Sequence, residues 1–271
     1  MLVALKNLFR PAMRARRHGG EGRPIVFMHI MKTASTPARV ALLMRWPDRP
    51  HRMLMRPNDL ADAWRTDPWT FAGFRLIWGH FGTEFMRRFR FPLFSATFVR
   101  DPVERVLSNY LFWKEVDLAG LPADSARQLA ECRREPLAKL LQSATPFVRA
   151  HLFDSQAKQI AARSAIEPGA VEFDYGEDLF TRARAEAARF DFIGFQDTLE
   201  WSMDRLFATL GASPAPPLAR REVNATARSP ENLAVRADRD LRRLIRRCNE
   251  IDIALYEALA AERNSLRATE P

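Results

Sequence analysis

The sequence predicts an α/β protein, a single domain built on a mostly parallel sheet. Three observations carry that reading. Short apolar runs rich in β-branched and aromatic residues recur along the chain. Stretches with helical periodicity lie between them, as parallel strands require, since each needs a crossover to return the chain. The 271 residues are 47% apolar and 28% charged, a balance that supports a buried core and excludes a disordered chain.

The elements follow in order. Residues 1–23 form a basic tail: an apolar stretch interrupted by Lys6 and Arg10, then a basic cluster, the reverse of a secretory signal. A solvated tail is the first reading and weak membrane-surface contact the alternative. Residues 24–30, PIVFMHI, read as a buried strand, and 36–46 as a helix carrying Val40, Leu42, Leu43 and Met44. FRLIW at 74–78 is a second strand, stopped by Gly79, and FSATFV at 94–99 a third. A helix from Pro102 to Val116 has proline in its favoured first turn and Val103, Val106, Leu107, Tyr110 and Leu111 on one face. FDFIGF at 190–195 is a late strand, and 197–210 an amphipathic helix. GASPAPPL at 211–218 breaks the pattern, 219–235 reads as loop, and a last long helix runs from Ala237 to Glu262. The domain is thus expected over 24–262, with a tail at 263–271.

The net charge of +9, from 42 basic and 33 acidic residues, favours anionic partners without choosing among nucleotides, acidic glycans, nucleic acid and anionic lipid. Cys132 and Cys248 are too few and too far apart for a disulfide framework or a metal quartet. No run approaches the roughly 18 apolar residues of a membrane span. These features place the chain in the cytoplasm, with the inner membrane face as a peripheral station.

Ligands of open parallel sheets sit beyond the carboxyl ends of the strands. The first strand runs into His29-Ile30-Met31-Lys32-Thr33-Ala34-Ser35-Thr36, the second into Gly79-His80 and the third into Arg100-Asp101-Pro102. If the strands are parallel, a lysine, a histidine and an arginine meet at one edge, a set suited to an anionic ligand and a proton transfer. The first loop is a phosphate-loop candidate: backbone N–H groups at a helix start, the Lys32 charge, and the Thr33, Ser35 and Thr36 hydroxyls. Its alternative is a polar strand–helix connection, since the Walker A spacing is absent. Arg100 and Ser108 stand eight apart across a helix start and are placed to grip one phosphate, with Asp101 as the helix cap. His29 precedes the loop and reads as a core or loop histidine. Arg87, Arg88 and Arg90, and the arginines of 242–247, read as solvated faces. Trp78 and Trp113 fall close enough to line the site.

VFMHIMKTASTPARVAL resembles the 5′-phosphosulfate loop of sulfotransferases related to heparan sulfate 2-O-sulfotransferase. ATFVRDPVERVLSNYLFW is similar to their 3′-phosphate motif, and WGHF to the segment bearing their catalytic histidine. Weaker echoes follow in order: HLFDSQAKQIA, DFIGFQDTLEWSMDRLFATLG, and VNATARS leading to NEIDIALYEAL. The resemblance implies a P-loop-NTPase-like fold and 3′-phosphoadenosine 5′-phosphosulfate (PAPS) as donor, with no metal. It implies Lys32 at the bridging oxygen, with Thr33, Ala34, Ser35 and Thr36 along the 5′ side. It further implies Arg100 and Ser108 on the 3′-phosphate, Thr226 and Arg228 closing over the nucleotide, and His80 as general base. The acceptor is a hydroxyl or amine, with a saccharide one candidate. The loop departs from the family pattern: Met31 replaces proline, Ala34 and Ser35 replace glycines, and Pro37 replaces serine. A Cβ at Ser35 would oppose a positive φ there, and Pro37 has no N–H to give a phosphate. These changes bear on donor affinity. The rival readings are a nucleotide kinase or NTPase, which would need a Walker A loop and acidic metal ligands, a basic nucleic-acid-binding protein, and a PAPS-fold protein with weak or no transferase activity.

Overall fold

The computed structural model describes residues 22–33, 35–170, 173–176, 178–216 and 229–269. Ala34, Thr226 and Arg228 lie outside them, as do residues 1–21. Strands β1 (Ile25–Met28), β2 (His51–Leu54), β3 (Leu76–Gly79), β4 (Phe94–Val99) and β5 (Phe192–Phe195) form one sheet in the order β2-β3-β1-β4-β5. Every neighbouring pair is parallel. The P-loop-NTPase-like, single-domain α/β architecture expected from the sequence is the one adopted.

Alternation along the strands divides the core. Val26, Met28, Ile77, Val99 and Ile193 pack on one face of the sheet. Ile25, Phe27, Leu76, Trp78 and Phe98 pack on the other, against α1 (Ser35–Arg45) and α10 (Leu199–Thr209). The first face is covered by α2 (Pro57–Arg65), α3 (Thr83–Met86), α8 (Ser155–Ala161), α9 (Leu179–Ala187) and α13 (Glu250–Arg267). A third cluster joins α4 (Pro102–Glu115), α5 (Ala123–Arg134), α6 (Leu137–Ser143) and α7 (Pro146–Leu152) to α12 (Arg239–Arg247).

Three expectations need correction. β2 was not foreseen: His51 and Arg52 are exposed on this edge strand, so HRML carries no apolar run. The expected loop at 219–235 contains the start of a helix, α11 (Pro230–Ala237), capped by the Ser229 hydroxyl. The single helix expected over 237–262 is broken twice. Asp238 accepts from the N–H groups of Asp240 and Leu241 and so starts α12, and Asn249 takes a non-helical conformation before α13. The last helix also runs through the expected tail to Arg267, with Arg263 buried on Asp197 at 2.6 Å. Among the described residues, no helix is long and apolar enough to cross a membrane.

Candidate active site at the strand ends

Parallel strands deliver their carboxyl ends to one edge, and the cleft lies there. It encloses about 400 Å³ and is lined by Lys32, Thr36, His80, Arg100 and Ser108, together with His29 and Phe112. A larger cleft of about 490 Å³, between α5, α6 and α7, lies away from the strand ends. Its Glu135 and Lys139 side chains pair with each other at 2.8 Å. The strand-end cleft is therefore the one where cations and a base converge without being spent on one another.

The loop after β1 turns sharply. Lys32 takes a left-handed conformation, φ 70°, which is strained for a residue with a Cβ. The expected position of that strain was Ser35; instead Ser35 opens α1 in helical conformation. Pro37 falls in the first turn of α1, where a missing N–H breaks no helical bond. Thr33 is fully buried, and its hydroxyl donates to the Ile30 carbonyl at 2.8 Å, so its side chain braces the loop from within. The Lys32 ammonium rests over the Phe112 ring, 4.4 Å from its centroid.

Arg100 leaves β4 toward the same loop. Its Nη1 donates to the Lys32 carbonyl at 3.1 Å, while its buried Nε has no hydrogen-bond partner among the described residues. Burial lowers the affinity of both Arg100 and Lys32 for their protons, and Arg100 adds to the effect on Lys32. An anion in the cleft would relieve both. Asp101 caps α4 by accepting from Glu104 N–H at 2.9 Å, as its position suggests. Glu104, Ser108 and Phe112 then recur one turn apart along α4. Glu104 is held by Arg236 at 3.0 Å and Arg242 at 2.8 Å, so Arg242 belongs to an ion pair and not to a solvated face.

His80 stands just past β3 between two close approaches. A Cβ on Gly79 would come within 2.5 Å of the Leu54 carbonyl, and one on Gly82 would collide with the Ala162 carbonyl. Nδ1 of His80 lies 3.0 Å from the His29 carbonyl. A carbonyl only accepts, so Nδ1 carries the proton and Nε2 keeps its lone pair. Burial holds the imidazole down at about 4, against the opposing pull of that hydrogen bond, so it is neutral near pH 7.

His29 is a cleft residue after all. Its ring stacks on His80 with centroids 4.2 Å apart, and its Nδ1 accepts from Trp78 Nε1 at 3.3 Å. Burial first, then the neighbouring His80, keeps its pKa well below the usual histidine range. Trp78 is fully buried beneath it and Trp113 packs on Phe147, so neither tryptophan lines the cleft. Arg88 donates to the carbonyls of Ala63 and Thr66 at 2.9 Å each and Arg87 pairs with Glu186; these hold structure.

The segment HLFDSQAKQIA, noted in the sequence for its resemblance alone, contains α8 and has a definite role. Gln156 Nε2 donates to the Arg100 carbonyl at 2.9 Å, and Gln156 Oε1 accepts from the Arg100 N–H at 3.0 Å. Gln159 Nε2 donates to the carbonyls of His29 and Phe81, each at 3.0 Å. Two glutamines one turn apart thus fix the backbone on both sides of the cleft. A glutamine pair has no local signature, so only the fold brings this role to light. A second brace is Glu167, which accepts from Gly82 N–H at 2.7 Å and from Ser164 N–H at 2.7 Å. Burial lifts its carboxyl to about 7 despite those donors.

The family model described as "Sulfotransferase family" matches residues 21–257. The chain belongs to the sulfotransferase family. That match takes in all five strands and every residue of the cleft. A search of curated proteins returns no match. The family member's three sequence-expected strand ends, at Lys32, His80 and Arg100, do share one cleft, and Thr36 and Ser108 join them. Among the described residues, no group of three His, Cys, Asp or Glu side chains is arranged to hold a metal.

Proposed function

We propose that this sulfotransferase family member moves a sulfuryl group from PAPS to a hydroxyl or amine. The observation that carries the reading is the convergence of Lys32, Thr36, Arg100 and Ser108 with a neutral, oriented His80 on one cleft. The residues fit an anionic nucleotide. Arg100 has a buried Nε without a hydrogen-bond partner among the described residues, α1 begins at the cleft with first-turn N–H groups, and among the described residues no acidic side chain lines the cleft beside Lys32 and Arg100.

Arg100 and Ser108 would bind the 3′-phosphate of the donor substrate. Lys32, released from Phe112, would neutralise the oxygen that bridges sulfate and phosphate. The acceptor O–H attacks sulfur, the bond from sulfur to the bridging oxygen breaks, and PAP (3′-phosphoadenosine 5′-phosphate) leaves with the electron pair. His80 Nε2 takes the acceptor's proton. Positioning and charge stabilisation supply most of the acceleration in such displacements. Thr226 and Arg228 remain proposed nucleotide contacts by resemblance alone, and a saccharide remains one candidate acceptor.

Calorimetry with PAP and AMP tests the reading. PAP binds well and AMP far more weakly, because Arg100 and Ser108 address the 3′-phosphate. Arg100→Ala removes most of that preference, costing about 1.5–3 kcal/mol, the scale of a charge-assisted hydrogen bond. Equal affinity of the parent protein for PAP and AMP overturns the assignment.

A further inference from the structure

The sheet has a second end. In a parallel sheet each helix that follows a strand returns the chain to the strands' amino ends, so α1 and α10 finish on the side opposite the cleft. There a groove of about 360 Å³ is lined by Arg45, Trp46, Arg49, Phe74, Arg75 and Gly22. Arg75 stacks on Trp46, its guanidinium 4.2 Å from the ring centroid, and so belongs to the groove's wall. Arg45 and Arg49 are exposed, and Asp48 is the acidic residue between them in sequence. Neither arginine side chain makes an ion pair or hydrogen bond with another described residue.

Two further observations choose among anionic ligands. Large apolar side chains stand in the open on the elements that build this groove. Met44, next to Arg45 on α1, is 59% exposed, and Trp69 is 60% exposed in the 3-10 turn Pro68–Gly73, whose last residues line the groove. Arginine beside exposed Trp and Met suits a surface that is charged at its edge and apolar just below. Residues 1–21 reach the described fold at Gly22, in the groove's wall. They carry five Lys and Arg against one acidic residue, mixed with Leu2, Val3, Leu5, Leu8 and Phe9. The same mixture of basic and apolar residues is thus attached where the groove lies.

We infer that the face at the amino ends of the strands docks on an anionic lipid surface, with Arg45 and Arg49 on lipid phosphates and Trp69 and Met44 in the interfacial layer. Docked this way, the molecule keeps its cleft on the opposite side, open to solution. The inference stands independently of the donor's identity.

Sedimentation of the full chain with vesicles tests it. Vesicles of phosphatidylcholine with a third phosphatidylglycerol pull the protein down at low salt, pure phosphatidylcholine does not, and added salt weakens the binding. Arg45→Gln with Arg49→Gln lowers partitioning by about thirtyfold, as expected for two cations near a charged surface, with an unchanged melting temperature. Trp69→Ser lowers it as well, which a purely ionic contact would not. Equal binding to both vesicle types overturns the inference. So does a well-folded double variant that partitions like the parent, which would give the binding to residues 1–21 alone. Binding of a soluble polyanion such as heparin or DNA, with no binding to anionic vesicles, overturns it also.

Discussion

At His80 the same burial that keeps the imidazole neutral also makes it a weak base in the free protein. A pKa held at about 4 lies below the ordinary value of 6.5. The sign follows. The folded state prefers neutral His80, so this group's stabilising contribution is present above pH 6.5 and is lost as pH falls from there through about 4. The pH profile of kcat/KM for the donor, which reports the free protein, should therefore hold its His80-dependent limb well below pH 6.5, whereas that of kcat should lie higher because a bound anionic donor raises the pKa toward neutrality. Imidazole NMR titration with and without PAP reads both shifts. His80→Ala should cut turnover by about a hundredfold or more while leaving PAP affinity near the parent's, with a modest fall in melting temperature from the lost contacts to His29. Near-normal turnover in a stable variant removes His80 from the mechanism. The loop makes a sharper statement than its sequence did. Since Ser35 is helical, Ser35→Gly gains no access to the phosphate and costs about 0.5–1 kcal/mol of helix stability. Pro37→Ser restores one N–H in the first turn and should tighten PAP by a few-fold, the scale of a net hydrogen bond. Calorimetry on the two single variants separates these effects. Lys32, His80 and Arg100 were legible because each stands just past a strand end, and Ser108 because it faces the same edge two turns into the helix that follows Arg100. The inward hydroxyl of Thr33 and the cleft position of His29 were not, because their partners lie in other elements.

Among the elements, α8 governs the cleft without entering it. Gln156→Leu leaves the Arg100 N–H and carbonyl without their partner, a loss of about 1–3 kcal/mol, and frees Arg100 to wander. PAP affinity should fall by about tenfold. Gln159→Leu acts on the other wall, at His29 and Phe81, so turnover should fall with PAP affinity nearly kept. The contrast between the two variants, KM-type against kcat-type, is the measurement; identical effects would mean that α8 merely supports the fold. Elements with strong periodicity and clear stops were readable: β1, β3, β4, β5, α1, α4 and α10 lie within a residue or two of expectation. β2 was not, since an exposed edge strand needs no apolar run. The break at Asn249 was hidden because apolar residues at helical spacing, Leu241 and Ile245 before it and Leu255 after it, occur on both sides, although the first two pack in one core cluster and the third in another. Helical spacing on both sides of a break imitates a continuous helix.

Across the whole molecule, the C-terminal part of the chain closes the structure around α8. Asp252 in α13, fully buried, accepts from the N–H groups of Gln156 at 3.2 Å and Ala157 at 2.7 Å. Asn249 accepts from Asp154 N–H at 2.9 Å, and Asp154 in turn accepts from Asp252 N–H at 2.9 Å. Burial raises the pKa of Asp252, with the nearby Arg105 opposing. Asp252→Ala strips two buried amides at the start of α8 of their acceptor and should cost about 2–4 kcal/mol, read as a lower melting temperature, together with weakened PAP binding. The parallel sheet and the residues at its edge followed from strand–helix alternation, whereas this network joins HLFDSQAKQIA to NEIDIALYEAL, segments about a hundred residues apart whose resemblance was visible but whose contact was not. Every described residue lining the cleft lies within 29–112, yet the supports of that cleft come from 154–159 and 249–252. A chain cut short before Glu250 would thus keep every described residue that lines the cleft and lose Asp252, the acceptor that holds the start of α8, so the cleft's order depends on a segment that contributes nothing to its lining.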